Sequence, residues 1–538
     1  MSSQLDHGPR PTTAQDVRVQ DGNLVWTSPA NRGDGAQRQV RLDEVLFTLP
    51  AADAHAGSII VCLKEHDGAE KQTPPQPPFQ LVALRTDEAL PDQLLGDGRG
   101  RIDRLPDYLR SSDANEVHVV VSTGSGLGLA AAFWEEVLRL VFALVGEALG
   151  EEDKEAARPS DVVVTEDAHS VRRFARALGE RRRGGDGSAK SATVILLSGD
   201  GGVVDMLNGG SSRDGSSNDS SSNDSSSPAA PIVALLPLGT GNALFHSLHK
   251  PVASSSSSPS AGSGPSPLVL ALRTLFLGAP ASLPAFRASF SPGAHVVSYV
   301  PTKADGKGGS MLTAGGDDAD LARKDAAVES LYGAIVASYG FHASIVHESD
   351  TPEYRVHGSK RFGMVAQDLL RESHPYRARL SVRRPKPLSA SDAPPPQQQQ
   401  QPLEDFSSAT HAYILATLVS NLERTFTISP ASAPLDNRLR LVHFGAVGGQ
   451  RTMEVMMKAY DGGAHVGMAW EDGDGPQRVA YEEVDELRVE VHEDDARWRK
   501  FCVDGTIVEV PRGGHMVVEK ARAGLLRVLV DPRVLPRR

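Results

Sequence analysis

The chain has 538 residues, longer than one ordinary domain, so several structural units are expected. Its 56 Lys and Arg residues against 68 Asp and Glu give a net charge of -12, which argues against a non-specific nucleic-acid binder and against attachment to anionic lipid by charge alone. Two cysteines, Cys62 and Cys502, provide no disulfide framework, so a reducing compartment is expected. The N-terminal residues contain no apolar run, and no stretch of about 18 uncharged apolar residues follows, so neither a secretory signal nor a transmembrane helix is expected.

Several segments are too polar to join a hydrophobic core. They are rich in Ser, Asp, Gly, Pro or Gln and bury too little apolar surface to offset the entropy of ordering them. We therefore predict disorder at residues 1–20, 211–230, 301–325 and 387–405, and a linker at residues 251–267.

The first block, residues 21–110, contains short apolar runs separated by Gly, Pro and Asp turns. This pattern predicts a small β-rich module, for which a pleckstrin-homology-like barrel is one option.

The second block, residues 115–250, alternates strands with helices. Apolar runs at Val117–Val121, Val162–Val164, Val194–Leu197 and Ile232–Leu236 are each followed by a helical pattern. Such alternation predicts a parallel α/β sheet, in which ligands bind at the carboxyl ends of the strands.

The third block, residues 268–538, returns to strand-like patterns at Leu439–Phe444, Leu487–Val491 and Leu525–Val530. It is expected to form a mostly antiparallel β region.

Gly-rich turns follow three of the four predicted strands of the second block, at residues 122–128 (STGSGLG), 198–202 (SGDGG) and 237–242 (PLGTGN). Turns without side chains let backbone N–H groups approach phosphate oxygens, and the next helix N-terminus adds a favourable dipole. One such turn is explained as well by chain conformation alone, but three in successive units favour a phosphate site. None matches GxxxxGK[ST] or GxGxxG, which disfavours a P-loop NTPase or a Rossmann dehydrogenase.

Asp200 is the acidic residue of the second turn. Flanked by glycines at a strand end, its carboxylate suits accepting a proton from a hydroxyl or holding Mg²⁺ beside a polyphosphate. The alternative is a helix-capping role, which is common for Asp. Asp205, five residues on, is either a solvated helix residue or part of the site.

These segments resemble the diacylglycerol kinase catalytic domain superfamily, in its sphingosine kinase and ceramide kinase-like branch. Ser198–Gly201 followed by Asp205–Gly209 is similar to the SGDG/GGDG…EVxNG signature. Leu236–Leu244 resembles the PxG[TS]GNAL loop, and Thr165-Glu166 with His169 resembles the TExxxH segment.

The resemblance continues into the third block. Tyr339–Phe341 and Tyr354–Phe362 are similar to the stretch GF…ExxKYR…G…RF, and Val503–Gly505 is similar to the late VDGE motif. The matching motifs are colinear over roughly 115–531.

The resemblance implies an α/β nucleotide-binding lobe and a β-rich lipid-binding lobe with an ATP cleft between them. It implies ATP and Mg²⁺ as cofactors, and Asp200 as the base that deprotonates a primary lipid hydroxyl. The implied nucleotide-binding residues are Gly124, Ser125, Gly126, Gly128, Thr165, Gly199, Gly201, Asp205, Gly239, Thr240, Gly241, Asn242, Arg355, Arg361, Asp504 and Gly505. The implied substrate is a sphingoid base, ceramide or diacylglycerol, for a cytoplasmic protein in transient contact with the membrane surface.

The sequence also departs from the family pattern. The first turn lacks the Asn-Pro of N-P-x-[SG]-G, and Leu127 replaces its usual basic residue. Asp205 and Thr506 stand where the family has Glu. Val346 aligns with the Asp by which sphingosine kinases grip the substrate amine, and its replacement here favours a lipid with a neutral headgroup. A different gap near Thr351-Pro352 would bring Glu348 or Asp350 to that position instead, and the GTGNAL loop is more similar to that of sphingosine kinases.

Two other functions stay open on the sequence alone. A NAD-kinase-like enzyme shares the GGDG turn and acts on a soluble nucleotide. A catalytically impaired lipid-binding scaffold is suggested by Leu127, Thr506 and the missing Asn-Pro. The His residues show no metal-binding spacing, so no zinc site is predicted, and the metal ligands stay open.

Overall fold

The structure, a computed structural model, describes residues 10–28, 37–51, 57–66, 77–96, 98–184, 190–210, 229–254, 264–301, 321–386, 402–472 and 475–535. The chain divides into two compact units. The first unit comprises Met1–Leu283 and Ala523–Arg538, and the second unit comprises Pro284–Arg522.

The helices are α1 (Ala130–Phe133), α2 (Arg139–Leu149), α3 (Glu151–Ala156), α4 (Ser170–Gly184), α5 (Asp200–Gly210), α6 (Ala243–Ser254), α7 (Pro267–Leu277), α8 (Phe341–Ser349), α9 (Pro352–Arg355), α10 (Arg361–Glu372) and α11 (Gly448–Tyr460). The strands of the first unit are β1 (Thr12–Thr13), β2 (Gln15–Gln20), β3 (Asn23–Thr27), β4 (Gln37–Arg41), β5 (Val45–Pro50), β6 (Ser58–Glu65), β7 (Phe79–Thr86), β8 (Asn115–Val121), β9 (Asp161–Val164), β10 (Ser191–Ser198), β11 (Ile232–Pro237), β12 (Ala279–Ser282) and, late in the chain, β29 (Arg527–Val530).

The strands of the second unit are β13 (Phe286–Phe290), β14 (His295–Pro301), β15 (Leu321–Ala327), β16 (Ser330–Gly333), β17 (Val336–Gly340), β18 (Tyr376–Arg383), β19 (Glu404–Asp405), β20 (Thr410–Thr417), β21 (Arg440–Gly445), β22 (Ala469–Asp472), β23 (Gly475–Arg478), β24 (Ala480–Glu483), β25 (Glu486–Val491), β26 (Lys500–Val503), β27 (Thr506–Glu509) and β28 (His515–Lys520).

The predicted parallel sheet lies in the first unit. Its strand order is β12-β29-β11-β10-β8-β9, and β9, β8, β10 and β11 pair in parallel. The central strands are runs of buried Val, Ile and Leu, as expected for a sheet covered on both faces. All the turns that follow these parallel strands therefore lie at one edge of the sheet.

The helical segment after β8 supplies part of that cover. It runs from α1 through a π-helical turn, Trp134–Leu138, into α2. Helical spacing predicts that Phe133, Val137, Leu140 and Leu144 face the sheet. Phe133, Val137 and Leu144 are buried in one hydrophobic cluster with Val119 of β8, but Leu140, beyond the π-helical turn, is only half-buried.

The last part of the chain corrects one expectation. The apolar run Leu525–Val530 was predicted to belong to the antiparallel C-terminal region, but its strand β29 pairs in parallel with β11 and antiparallel with β12. Residues 268–283, which carry α7 and β12, also belong to the first unit. An apolar strand pattern reports burial but does not identify the sheet in which a strand is buried.

The N-terminal strands form a four-stranded sheet, β1-β7-β6-β5, and a three-stranded sheet, β2-β3-β4. The predicted disorder of residues 1–20 is wrong for β1 and β2, because β1 pairs with β7 and β2 pairs with β3. Ala14 and Val17 are buried and Val19 packs against the same cluster, and these few apolar residues in a mostly polar stretch order it.

The second unit is mostly antiparallel, as predicted. A fourteen-stranded sheet runs in the order β15-β14-β27-β26-β17-β20-β18-β25-β28-β13-β16, with β19, β21 and β24 attached beside it. Its pairings are antiparallel throughout the described strands.

Most residues of the remaining predicted disordered segments lie outside the described residues, at 211–228, 255–263, 302–320 and 387–401. The prediction of disorder is wrong for residues 321–325, which belong to β15 and pair with β14, and for residues 404–405, which form β19 and pair with β18. Composition alone missed these short edge pairings. Within the described residues, no helix combines the length and apolar character needed to span a bilayer.

Candidate active site

Three glycine turns meet at the carboxyl ends of the adjacent strands β8, β10 and β11. A Cβ atom on Gly239 would lie 2.3 Å from the Cα of Gly199, and one on Gly126 would lie 2.3 Å from the main-chain oxygen of Leu238. Gly126 also has a φ of +55°, in the left-handed region. The glycines are therefore needed for the turns to touch one another.

Asp200 joins two of the helices that leave these turns. It is the first residue of α5, and its carboxylate accepts hydrogen bonds from the N–H groups of Ala243 (2.7 Å) and Leu244 (3.1 Å), the first residues of α6. The side chain thus caps a helix, as the alternative interpretation held, but it is the helix of the next βα unit. Capping and a catalytic role are compatible, since each carboxylate oxygen accepts one N–H and retains a lone pair.

The electrostatic surroundings of Asp200 tune its basicity. Burial raises its pKa to about 6, while the hydrogen bonds from Ala243 and Leu244 act to lower it. The carboxylate is therefore largely ionised at pH 7 and able to accept a proton. A pKa in this range suits a general base at neutral pH.

Asn242 organises the third turn from within. Its Oδ1 accepts a hydrogen bond from the Gly239 N–H at 3.1 Å, and its Nδ2 donates to the main-chain oxygens of Gly239 (2.7 Å) and Pro237 (3.3 Å). Asn242 is buried and has a φ of +51°, which Asn tolerates better than most residues. Its side chain shapes the turn, and the neighbouring Thr240 is exposed.

Thr165 anchors the first turn to the start of the segment after β9. The Thr123 N–H donates to Thr165 Oγ1 at 3.1 Å, and Thr123 Oγ1 donates to the Thr165 main-chain oxygen at 2.9 Å. Ser125 Oγ donates to Ser122 Oγ at 2.8 Å and lies 3.3 Å from Ser198 Oγ. The hydroxyl groups of Ser122, Thr123 and Ser198 were not singled out by the sequence analysis, although each occurs within or beside a glycine turn.

The tip of the first turn is open to solvent. Gly124, Gly126, Leu127 and Gly128 are exposed. Leu127, which replaces the usual basic residue, is 88% exposed and lies largely in solvent.

Asp205 lies on the part of α5 that faces α4. Gly209, one turn further on, lies so close to α4 that a Cβ atom there would be 2.6 Å from the Arg172 main-chain oxygen. Burial raises the pKa of Asp205 to about 6, and the charge of Arg172 acts to lower it.

The remaining predicted residues lie in the second unit. Asp504 has a φ of +45° and its carboxylate accepts hydrogen bonds from the N–H groups of Ala334 (2.6 Å), Ile335 (3.1 Å) and Val336 (2.6 Å). Together with Gly505 at φ +86° this is the turn that an Asp-Gly pair favours. The carboxylate thus fixes the β16–β17 connection to the β26–β27 turn.

Arg355 and Arg361 lie on either side of Gly358, at the end of α9 and the start of α10. Arg355 forms a two-bond ion pair with Asp350, and Arg361 lies 4.0 Å from the same carboxylate. This role of Asp350 was not predicted from the sequence, although Asp350 stands four residues before Tyr354, at the Glu spacing of the ExxKYR stretch.

Val346, on α8, is half-buried. It packs against an apolar cluster formed by Val297, Ala343, Cys502 and Ile507. Within the described residues, no group of three or more His, Cys, Asp or Glu side chains is arranged to hold a metal ion.

Comparisons with known proteins agree with the predicted resemblance. Residues 143–261 match the model of the diacylglycerol kinase catalytic domain, a range that includes the turns at Gly199 and Gly239. The superfamily resemblance is therefore confirmed for this part of the chain. No curated protein matches the chain.

Solved structures from Bacillus anthracis str. Sterne are also similar. One, provisionally assigned as a diacylglycerol kinase, is 12% identical to this chain and has a TM-score of 0.43. The match covers 79% of this chain and 98% of the Bacillus chain. Another, described as a diacylglycerol kinase, is 11% identical and has a TM-score of 0.39. This match covers 78% of this chain and 98% of the second Bacillus chain.

Proposed function

We propose, from the premise that the chain carries a diacylglycerol kinase catalytic domain, that the protein is an ATP-dependent lipid kinase. It transfers the γ-phosphate of ATP to the primary hydroxyl of a sphingolipid or of diacylglycerol. The observation that carries the proposal is that three glycine turns contact one another and that one of them carries Asp200, whose carboxylate is held by the start of α6 and has a raised pKa.

The turns suit the phosphates of ATP. Exposed backbone at Gly124 and Gly126 offers N–H groups without side chains in the way, whereas the Gly128 N–H already donates to the Ser125 main-chain oxygen at 2.9 Å. The helix α1 begins beyond this turn without a side-chain cap. Asn242 and Thr165 hold these turns in shape. Ordered donors that need no rearrangement on binding suit phosphoryl transfer, which depends mainly on positioning and charge neutralisation.

Mg²⁺ is the metal that such a kinase requires. Mg²⁺ at kinase sites keeps several waters and takes one or two carboxylates together with substrate phosphates, so a dedicated cage of protein ligands is not needed. The ion would be held mainly by the phosphates of ATP and by water, which leaves the Asp200 carboxylate to act as the base. When bound, the ion would neutralise phosphate charge.

Asp200 is the proposed base. An ionised carboxylate beside the phosphate turns accepts the proton of the lipid hydroxyl as that oxygen attacks phosphorus. The hydrogen bonds from Ala243 and Leu244 keep its orientation fixed. Arg355 and Arg361 are proposed to bind nucleotide phosphate, and transient contact with a membrane surface gives access to the lipid.

The proposed substrate has a neutral headgroup. Val346 offers only methyl groups, and the carboxylates nearest to it in sequence are already paired: Glu348 accepts hydrogen bonds from Arg497 at 2.8 and 3.2 Å, and Asp350 accepts them from Arg355. A substrate ammonium would lose its hydration there without gaining a carboxylate partner. Ceramide and diacylglycerol are therefore expected to be at least as good as sphingosine.

A radiolabelled ATP assay tests the function. The purified chain with Mg²⁺ is presented with ceramide, diacylglycerol or sphingosine in detergent micelles, and with NAD in a parallel reaction. Label is expected in a lipid product and not in NADP. Transfer to NAD alone would identify a soluble-nucleotide kinase, and no transfer with retained lipid binding would identify a scaffold.

A further inference from the structure

We propose that Asp350 is a positioning residue that orients the guanidinium of Arg355 toward a phosphate group of the nucleotide. The inference rests on the proposed function, which assigns Arg355 to nucleotide phosphate. It assigns a role to an acidic side chain outside the glycine turns, which stands at the Glu position when the ExxKYR stretch is counted back from Tyr354-Arg355.

The geometry is that of a two-bond fork. Asp350 directly follows α8, and Arg355 ends α9. Arg355 Nε donates to Asp350 Oδ1 at 3.0 Å, and a terminal nitrogen of Arg355 donates to Asp350 Oδ2 at 2.8 Å. The other terminal nitrogen donates to the main-chain oxygen of Tyr299 at 3.4 Å. Contacts to both the carboxylate and the backbone fix the plane of the guanidinium.

The fixed guanidinium keeps donors for a ligand. An arginine has five N–H donors, and the three bonds to Asp350 and Tyr299 use three of them. One N–H on each terminal nitrogen therefore has no partner among the described residues. A pair of N–H groups on a planar group suits the oxygens of a phosphate.

Arg361 adds a second positive charge at the same carboxylate. Its guanidinium lies 4.0 Å from Asp350 Oδ1, and its buried Nε has no hydrogen-bond partner among the described residues. Two guanidinium charges against one carboxylate leave a local charge of +1. The side chains of Asp350, Arg355 and Arg361 are 42%, 33% and 26% exposed, so an anionic ligand can reach them. Asp350 thus orders the arginines without neutralising them.

A purely structural ion pair is the alternative. Pairs this exposed add little to folding stability, so removing one should leave the thermal midpoint almost unchanged. A positioning role instead affects nucleotide binding, and the two roles predict different measurements.

The test is Asp350→Asn in the full chain, with steady-state kinetics for ATP and for the lipid that the panel identifies. Asn keeps one acceptor oxygen but loses the fork, so the KM for ATP is expected to rise about tenfold, with kcat changed less than about twofold and the lipid KM unchanged. Asp350→Glu, which restores both acceptors, is expected to recover part of the affinity for ATP.

Asp405→Asn is the matched control. Asp405 also accepts two hydrogen bonds from one arginine, Arg379, at 3.1 and 2.6 Å, and its side chain is 45% exposed. The substitution makes the same change in net charge, and its KM for ATP is expected to equal that of the wild type.

Nucleotide binding separates this inference from the proposed function. The ATP-induced rise in thermal midpoint is expected to be smaller for Asp350→Asn than for the wild type, whether or not any lipid is phosphorylated. A wild type that binds ATP but phosphorylates no lipid would refute the proposed function only. An unchanged ATP affinity in Asp350→Asn would overturn the inference. A higher ATP affinity in this variant would also overturn it, because Asp350 would then compete with phosphate for Arg355.

Discussion

At the scale of single residues, Asp200 combines a structural contact with a chemical property. Its two hydrogen bonds to the start of α6 fix the carboxylate, while burial raises its pKa to about 6. The unfolded value is about 3.9, so the folded chain binds this proton more tightly than the unfolded chain. The contribution of Asp200 to stability is therefore full below about pH 4 and is lost as the pH rises through about 6. A residue that lowers stability when ionised is typical of functional sites.

Asp200→Asn is expected to abolish most activity without unfolding the protein. The amide cannot act as a base, so turnover should fall at least about 10²-fold, and the wild-type rate should decline tenfold per unit below about pH 6. At pH 8 the thermal midpoint should be unchanged or higher, since Asn still caps α6 through one oxygen and carries no buried charge. Calorimetry measures the thermal midpoint, and pH–rate profiles measure the turnover of the variant and the wild type. If the variant keeps more than about a tenth of the wild-type rate, Asp200 is not the base.

Val346 is the residue proposed to set headgroup preference. Val346→Asp places a carboxylate on α8, and the ratio of kcat/KM for sphingosine over ceramide is expected to rise about tenfold, as one new ion pair suggests. Val346→Asn, with the same size and no charge, serves as the control. Melting curves of both variants measure how much stability is lost when a polar side chain replaces Val346 in the apolar cluster with Val297 and Ile507. Better sphingosine than ceramide turnover in the wild type, with no response to the new Asp, would return the protein to a sphingosine kinase assignment.

At the scale of secondary-structure elements, the site is made by contacts between turns. Each turn follows a different strand of the parallel sheet, and because β8, β10 and β11 are neighbours, their turns are brought together. Gly199 and Gly239 touch through their backbones, and Asn242 fixes the shape of the third turn. The geometry at Asp200 therefore depends on residues that need never contact a ligand.

Gly239→Ala is expected to separate the second and third turns. The new Cβ would lie 2.3 Å from the Gly199 Cα and 2.9 Å from Asn242 Oδ1, so the backbone has to shift. We expect a loss of about 1–3 kcal/mol in the free energy of unfolding, as for overpacked cores. A displacement of this size near the chemistry is expected to lower kcat/KM about 10²-fold.

Gly210→Ala provides the comparison for that variant, because a Cβ atom there meets nothing within 4 Å at the end of α5. It should behave as the wild type in urea unfolding and in the kinase assay. Equal behaviour of the two variants would show that the contact between the turns is not needed.

At the scale of the whole molecule, the N-terminal strands belong to the core of the first unit. The Phe47 ring of β5 lies 5.1 Å from that of Phe276 on α7, and the Phe79 ring of β7 lies 5.0 Å from that of Phe133 on α1. The buried Arg273 on α7 donates to the main-chain oxygen of Val45 at 2.9 Å. The predicted β-rich segment thus shares one hydrophobic cluster with the α/β sheet.

Deleting residues 1–110 is therefore expected to unfold the α/β sheet rather than release an active kinase domain. The deletion exposes Phe276 and Phe133 and removes the main-chain oxygens of Asp43 and Val45, which accept hydrogen bonds from the buried Arg273. Loss of hydrogen bonds to a buried charged group is costly. Circular dichroism and size-exclusion chromatography should show an aggregated or unfolded product. In the complete chain, Phe276→Ala is expected to cost about 3–5 kcal/mol. A truncated chain that unfolds cooperatively would demonstrate an independent N-terminal module.

The sequence by itself determined the parallel sheet of the first unit, the antiparallel character of the second, and the superfamily resemblance. These follow from local patterns: apolar runs separated by helical spacing, and glycine turns with an acidic residue. Only the tertiary structure decided that β29 completes the parallel sheet, that Asp200 caps α6, and that Asp350 holds Arg355. Those relations join residues whose pairing depends on how strands and turns are arranged in space. Hydrophobic periodicity reports whether a side chain is buried, but not which partner buries it.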